Sequence, residues 1–413
     1  MSSGAQSIAP KGSKSVGQEH VLCLRPEGPL RTGTLNPRGE YLDTRSYLPG
    51  SVLRGALAEW LKAQGREGEI GQVVQKIRFG NLFPSPDSNV LALPFPLTAF
   101  GCKLHRGFLR STRSRRDPTH GIRDSLLIAV AYAGLEERGA QFPVPMTLRC
   151  TYEEEGNRCG SRLERVGGFY ARTQEGWTEV VPQRMVQTKV ALSRYRRAAQ
   201  EQMLYRVVGL RPTHSFVGRI WTDDEGLIDE LIQAAEHVGI GSLTTRGFGL
   251  GRLSLAQAEL EPLSERLKAF NEKLRRTWKE LIGIARQGER RVPDNPEGTY
   301  FSVDLLSPAL LTDPHGIPTL KLTLRFEDRE LEPVYWTVQP SFVGGFSTAW
   351  GLPKPTRLGA ARGSVYVFRV DEPPERLVPW LEEVERQGVG DRTEEGLGEV
   401  LICHPFHREV QPV

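Results

Sequence analysis

An α+β fold made of two ferredoxin-like modules, with a large insertion in the first, is predicted by a displaced glycine pattern and by the segments around it. Near the middle, Gly239-Ile-Gly241 and Gly247-Phe-Gly249 bracket five residues. Near the C-terminus, Gly388-Val-Gly390 and Gly396-Leu-Gly398 bracket five more, and every glycine is displaced by the same 149 positions (239 to 388). A strand-like run and a helix-like segment precede each loop, and another strand follows it. Self-similarity at a fixed displacement marks a repeated supersecondary unit.

The elements follow in order. His20-Val-Leu-Cys-Leu24 is the first strand and runs into Pro26, Pro29 and Leu30. A helix spans Gly50 to Leu61 and ends near Gly65. Ser215–Trp221 reads as a strand; the helix after Asp223 and Asp224 carries Leu227, Leu231, Ala234, Ala235 and Val238 at helical spacing. Gly251–Leu255 closes the first module. In the second, Phe301–Leu306 leads into Pro308, and Ser364–Val370 is a strand. The next helix opens at Asp371 with Pro373 and Pro374, which suit a first turn, and Glu399–Cys403 is the last strand. Strand, helix, strands, helix, strand is the split βαβ order. The second copy shows no clear first helix.

These segments set the domain boundaries: a disordered 1–18, a first module over 19–260 with an insertion at about 66–200, a linking segment over 261–297 and a second module over 298–413. The linker is a helix that places Leu267, Phe270, Leu274, Trp278 and Leu281 on one face.

Composition excludes several classes. With 38% hydrophobic and 25% charged residues among 413, the chain can pack a core. It has no run of 18 apolar residues and no apolar signal core, which argues against a membrane protein. Five scattered cysteines are too few for a disulfide framework and fit a reducing cytosol. A net charge of +4, rich in clustered Arg, permits a polyanionic partner.

Glycine allows positive φ and close backbone approach, so a glycine loop between helix and strand can receive a phosphodiester. The first loop carries Thr244, Thr245 and Arg246 with Arg252 nearby; the second carries Asp391, Glu394 and Glu395. The first is therefore the better RNA contact and the second architectural. Thr188–Arg197 interleaves Lys189, Arg194, Arg196 and Arg197 with Tyr195, which suits phosphate pairing and base stacking. Arg110–Arg116 is a second basic run, expected in a mobile loop. Cys102, Cys150 and Cys159 with His120 (or His105) make a set for structural zinc, although Cys150 and Cys159 are spaced more widely than in zinc fingers. Cys23 and Cys403 lie in strands and read as core. Asp43, His404 and His407 are isolated titratable groups, expected at the surface, and no catalytic constellation stands out.

Leu48-Pro-Gly-Ser-Val-Leu-Arg-Gly-Ala-Leu57, with the Gly239–Gly249 loop, resembles the RAMP superfamily, whose modules are RRM-like. Pro94-Phe-Pro-Leu-Thr-Ala99 with Cys102-Lys103, His120–Asp124, Glu201–Tyr205, Gly351–Lys354 and Gly363–Tyr366 resemble the large two-module RAMP protein of type III-D CRISPR systems. The resemblance implies a crRNA-binding structural subunit of an RNA-guided interference complex, capping the 5′ handle end. Its partners would be backbone RAMP subunits, the large polymerase-like subunit, crRNA and target RNA. Ser51, Arg54, Lys103, Lys189, Arg194, Tyr195, Arg196, Arg197, Gly239, Gly241, Arg246, Gly247, Phe248 and Gly249 are the RNA-binding candidates. No cofactor is required beyond the zinc set. Asp43 falls where target-cleaving subunits carry an aspartate, which keeps an endoribonuclease reading open.

Overall fold

A computed structural model describes residues 17–34, 41–109, 119–143, 145–154, 156–192, 195, 199–286, 292–347 and 351–412. In the first half, strand β1 (Glu19–Pro26) leads to helix α1 (Gly50–Ala63), strands β2 (Arg78–Ser85) and β3 (Ser215–Trp221), helix α2 (Glu225–His237) and strand β4 (Gly251–Leu255). These strands form one antiparallel sheet in the order β4-β1-β3-β2. Helix α3 (Leu263–Ile282) crosses to the second half, with strands β5 (Thr299–Leu305), β6 (Tyr335–Thr337) and β7 (Val365–Val370), helix α4 (Pro374–Gln387) and strand β8 (Val400–Ile402). Its sheet runs β8-β5-β7-β6, again fourth, first, third, second. Where the first half has α1, the second has two short hairpins, 311–319 and 324–331.

Local chemistry accounts for the helices of the first half. Pro49 holds an extended φ of −64° before α1, and Asn81 Oδ1 accepts the Gly50 N–H at 3.3 Å. Leu53, Leu57 and Leu61 recur every fourth residue and are buried. They pack with Leu227, Leu231, Phe79, Phe216 and Ile220 into one core under the sheet. Each such side chain contributes roughly 1.5–3 kcal/mol on burial.

One boundary moves. Strand β2 lies inside the expected insertion at 66–200, yet pairs with β3 as the edge strand of the first sheet. Its residues are buried along the whole strand, so the sequence lacks the alternation that marks a half-buried strand.

Beyond β2, helix Leu126–Glu137 leaves the first half and packs on α3. Its core is shared with the second sheet. Gly134 permits this contact, since a Cβ there would lie 2.8 Å from the Trp278 ring. The expected stripe of α3, from Leu267 to Leu281, is buried. Among the described residues, no helix is long and apolar enough to cross a membrane. The segment up to residue 16, expected to be disordered, lies outside the described residues.

Candidate nucleic-acid interface

The two glycine loops repeat as structures. Gly239, Gly241, Gly247 and Gly249 hold φ of 76, 107, 83 and 81°; Gly388, Gly390, Gly396 and Gly398 hold 74, 80, 83 and 61°. Leu243 and Arg392 also adopt positive φ, 64 and 62°, at matching positions. A single 3₁₀ turn follows each, Thr244–Arg246 and Thr393–Glu395. Both loops are anchored to the chain after the first strand of their sheet. The Gly249 N–H donates to the Pro29 carbonyl at 2.8 Å, and the Gly398 N–H to Pro308 at 2.9 Å. A Cβ on Gly241 would lie 2.5 Å from the Arg31 oxygen, and one on Gly390 2.4 Å from that of Leu310. The glycines thus serve close backbone approach in both loops.

What the loops face differs. A Cβ at Gly247 would meet nothing within 4 Å, whereas one at Gly396 would lie 2.9 Å from Gly50 N and 3.0 Å from Asn81 Oδ1. The second loop is seated on the start of α1 and on β2. Asn81 Nδ2 donates to the Gly396 carbonyl and to Glu399 Oε2, both at 2.7 Å, and the Asn81 N–H reaches the same carboxylate at 2.8 Å. Buried Glu399 also lies 3.6 Å from Arg219 Nη2.

Charge inverts at the matching position. Arg246 is exposed, and its Nη1 donates to Tyr205 Oη at 2.8 Å. Glu395, its counterpart, is buried among Arg54 (3.3 Å), Lys354 (2.7 Å) and Arg392 (2.6 Å). Burial would raise the Glu395 carboxyl, but Arg392 and Lys354 hold it below the ordinary carboxylate range. Asp391 pairs with Arg357 at 2.7 Å. These acids act as internal partners, with Glu395 holding the second loop to the first half.

Each loop is braced by a long hairpin between the second and third strands of its sheet, 184–210 and 340–360. Neither hairpin was anticipated. Arg184–Leu192 does alternate, burying every second residue in part, and that period was the available signal. In the first hairpin Lys189 pairs across to Tyr205. Lys189 Nζ sits 5.4 Å from the Phe248 ring centroid. This face of the hairpin continues the surface of the open loop, whereas exposed Arg184 and Arg206 project from the opposite face.

The other predicted residues fall as follows. Tyr195 is 96% exposed; Arg194, Arg196, Arg197 and the run 110–116 lie outside the described residues. Phe248 is buried and supports the loop from beneath, so it is closed to a stacking base. Ser51 is exposed at the start of α1, while Arg54 is engaged with Glu395. Lys103 pairs with Glu164 at 3.7 Å. Asp43 accepts from the Thr44 N–H at 2.7 Å and from Arg184 Nη1 at 3.2 Å.

His404 and His407 are not surface groups. His407 is 2% exposed, with Nδ1 3.0 Å from Asp124 Oδ2 and Nε2 2.7 Å from Asp304 Oδ1. Burial opposes its charge, but Asp304 and Asp124 prevail and hold the imidazolium up to about 10. His404 has no such pair, and burial pushes it down to about 3. The polar network ties the excursion of the first half to β5 and the C-terminal turn. Cys23 and Cys403 are buried core residues, as expected.

Cys102, His120, Cys150 and Cys159 converge, with one ligand atom from each lying within 4.8 Å of the others. That donor set could hold a metal ion.

The RAMP superfamily profile matches residues 24–252, and that of CRISPR-associated protein (Cas_Cmr3) matches residues 178–405. Among curated proteins, no sequence matches. A chain of the "Type III-B Cmr-beta bound to cognate target RNA and AMPPnP" is 12% identical over 89% of both chains, with a TM-score of 0.37. A chain of the "Csm3-Csm4 subcomplex in the type III-A CRISPR-Cas interference complex" is 14% identical, covering 86% of this chain and 95% of that one, with a TM-score of 0.34. One of the "Csm1-Csm4 cassette in complex with AMPPNP" is 13% identical, covering 84% and 87%, with a TM-score of 0.33.

Proposed function

The chain belongs to the RAMP superfamily and to the CRISPR-associated protein (Cas_Cmr3) family, and on that premise we propose that it is a crRNA-binding structural subunit of a type III interference complex. The sheets and helices are then two ferredoxin-like modules, over about 19–260 and 298–413, joined by α3. The observation that carries the reading is the contrast between Gly247 and Gly396. They share a backbone conformation, but only the first presents open space beside an exposed arginine. The first module binds RNA through its loop, the Lys189–Tyr205 side of its hairpin and Arg194, Arg196 and Arg197. The second module spends its loop on holding the chain together. Placement at the 5′ handle end, beside the large polymerase-like subunit, and the type III-D subtype rest on the motif resemblance and belong to the proposal.

Phosphate pairing and base stacking need no titratable catalyst, and the binding reading assigns none. The test is crRNA affinity as a function of salt. Each lost phosphate contact lowers the slope of log K against log salt by about 0.7 for a single strand. Arg246→Ala is expected to lower both slope and affinity. Arg392→Ala, which removes a charge already facing Glu395, should leave both unchanged. If all three proteins bound crRNA equally at every salt concentration, the first loop would not be the contact.

A further inference from the structure

The lobe that carries Cys102 has a small apolar cluster of its own. Its cluster contains four buried residues, Phe100, Cys102, Cys150 and Leu163, and two of these are cysteines. Small apolar cores of this kind usually need a metal or a disulfide to stay folded. Three segments nevertheless converge. Cys102 ends strand Ala99–Cys102, and His120 comes from the turn before strand Ile122–Asp124. Cys150 and Cys159 flank the hairpin pairing Glu153–Glu154 with Asn157–Arg158.

Their spacing fits one ion. A zinc tetrahedron with bonds of about 2.3 Å to sulfur and about 2.0–2.1 Å to nitrogen has edges near 3.8 Å between sulfurs and near 3.6 Å between sulfur and nitrogen. Cys102 Sγ and Cys159 Sγ are 3.8 Å apart, and Cys150 Sγ is 3.5 Å from His120 Nδ1. Those are two opposite edges of the tetrahedron, matched to about 0.1 Å. The surroundings hold the ligands in place. The His120 ring stacks on Tyr152 at 4.1 Å and 13°, and the His120 N–H donates to the His105 carbonyl at 3.0 Å. Cys150 donates its N–H to Ser161 at 2.8 Å, and Gly160 donates to the Cys150 carbonyl at 3.1 Å. Gly160 turns at φ +61° directly after Cys159. Ser161 Oγ lies 2.9 Å from Cys102 Sγ and 3.2 Å from Cys159 Sγ, where its single O–H can donate to one of the two sulfurs.

From this geometry we infer that Cys102, His120 (through Nδ1), Cys150 and Cys159 hold one structural zinc ion that closes the lobe. Four protein ligands leave no open position for catalysis, and a Cys₃His set selects a soft or borderline cation over magnesium or calcium. His105, its ring centroid 4.3 Å from that of His120 and tilted by 32°, packs beside the ligand set and is not the fourth member. The inference is independent of the RNA-binding reading, because nothing in it depends on which surface meets crRNA.

The test is elemental analysis of the full chain purified without added metal, together with thiol labelling. About one zinc per chain is expected in the wild type, because thiolate sites bind tightly. Cys159→Ser, at the half-buried ligand, should lose it. Ser161→Ala should retain the stoichiometry but release zinc to a competing chelator at about 10–100-fold lower chelator concentration. A strong chelator should raise maleimide labelling of Cys102, Cys150 and Cys159 by at least about tenfold and leave Cys23 unchanged. Fewer than about one zinc in ten chains would overturn the inference. So would a Cys102–Cys159 disulfide seen as a loss of two hydrogens in the non-reduced mass, or labelling indifferent to chelator.

Discussion

Gly247 and Gly396 share a φ of +83°, and each ends a single 3₁₀ turn, but their neighbourhoods are opposite. The first has open space on the side where the second meets Gly50 and Asn81. One backbone design therefore serves as a free surface in one half of the molecule and as a docking element in the other. The surrounding side chains follow that division. Exposed Arg246 and Leu250 stand where the second loop has buried Glu395 and Glu399. Burying a carboxylate is costly unless cations and donors surround it, and both glutamates are so surrounded. The same loop geometry, reached twice, thus says little about function until its contacts are known.

The comparison can be broken first at Glu399. Glu399→Ala leaves buried Arg219 and Asn81 without their shared acceptor, and a loss of about 3–5 kcal/mol is expected in denaturant unfolding. An unchanged midpoint would mean that the two halves are not held by this contact.

His407 tests the same side of the molecule by pH. Its value, raised from 6.5 to about 10, means that the imidazolium contributes its full stabilisation below about pH 6.5 and loses it as pH rises through about 10. The melting temperature of the wild type should exceed that of His407→Gln at pH 6, and the gap should narrow steadily toward pH 10. A gap constant over that range would show that His407 is neutral in the fold.

The glycine pair sharpens the contrast directly. Alanine at either position pays the same left-handed backbone cost of about 1–2 kcal/mol. Gly396→Ala adds a clash with Gly50 and Asn81 and should cost about 1–3 kcal/mol more than Gly247→Ala. Equal losses would show that the second loop is not seated as described.

Replacing Arg194, Arg196 and Arg197 by Ala should flatten the salt dependence of crRNA binding by about two slope units. A slope equal to that of the wild type would remove these arginines from the interface. The smallest effect is expected at Asp43, which neutralises Arg184 at 3.2 Å. Asp43→Asn should free that cation and raise affinity roughly twofold. If a specific cut of matched target RNA in the assembled complex disappeared instead, with binding intact, Asp43 would be catalytic.

The amino-acid sequence by itself determined the repeat, because positive φ at fixed spacing demands glycine and leaves a visible mark. It also determined strands β3, β4 and β7 and the buried stripe of α3, whose periodicities are local. The Cys102, His120, Cys150 and Cys159 set could be singled out by residue type, although its convergence from distant segments was not local information. Strand β2 stayed hidden because a strand buried throughout does not alternate. Only the tertiary structure could decide that Phe248 lies beneath its loop, that His407 is clamped between two carboxylates, and which glycine loop is free. The physical reason is the same in each case. Burial and ion pairing are set by residues far away in the chain: Asp124 and Asp304 for His407, Asn81 and Gly50 for Gly396.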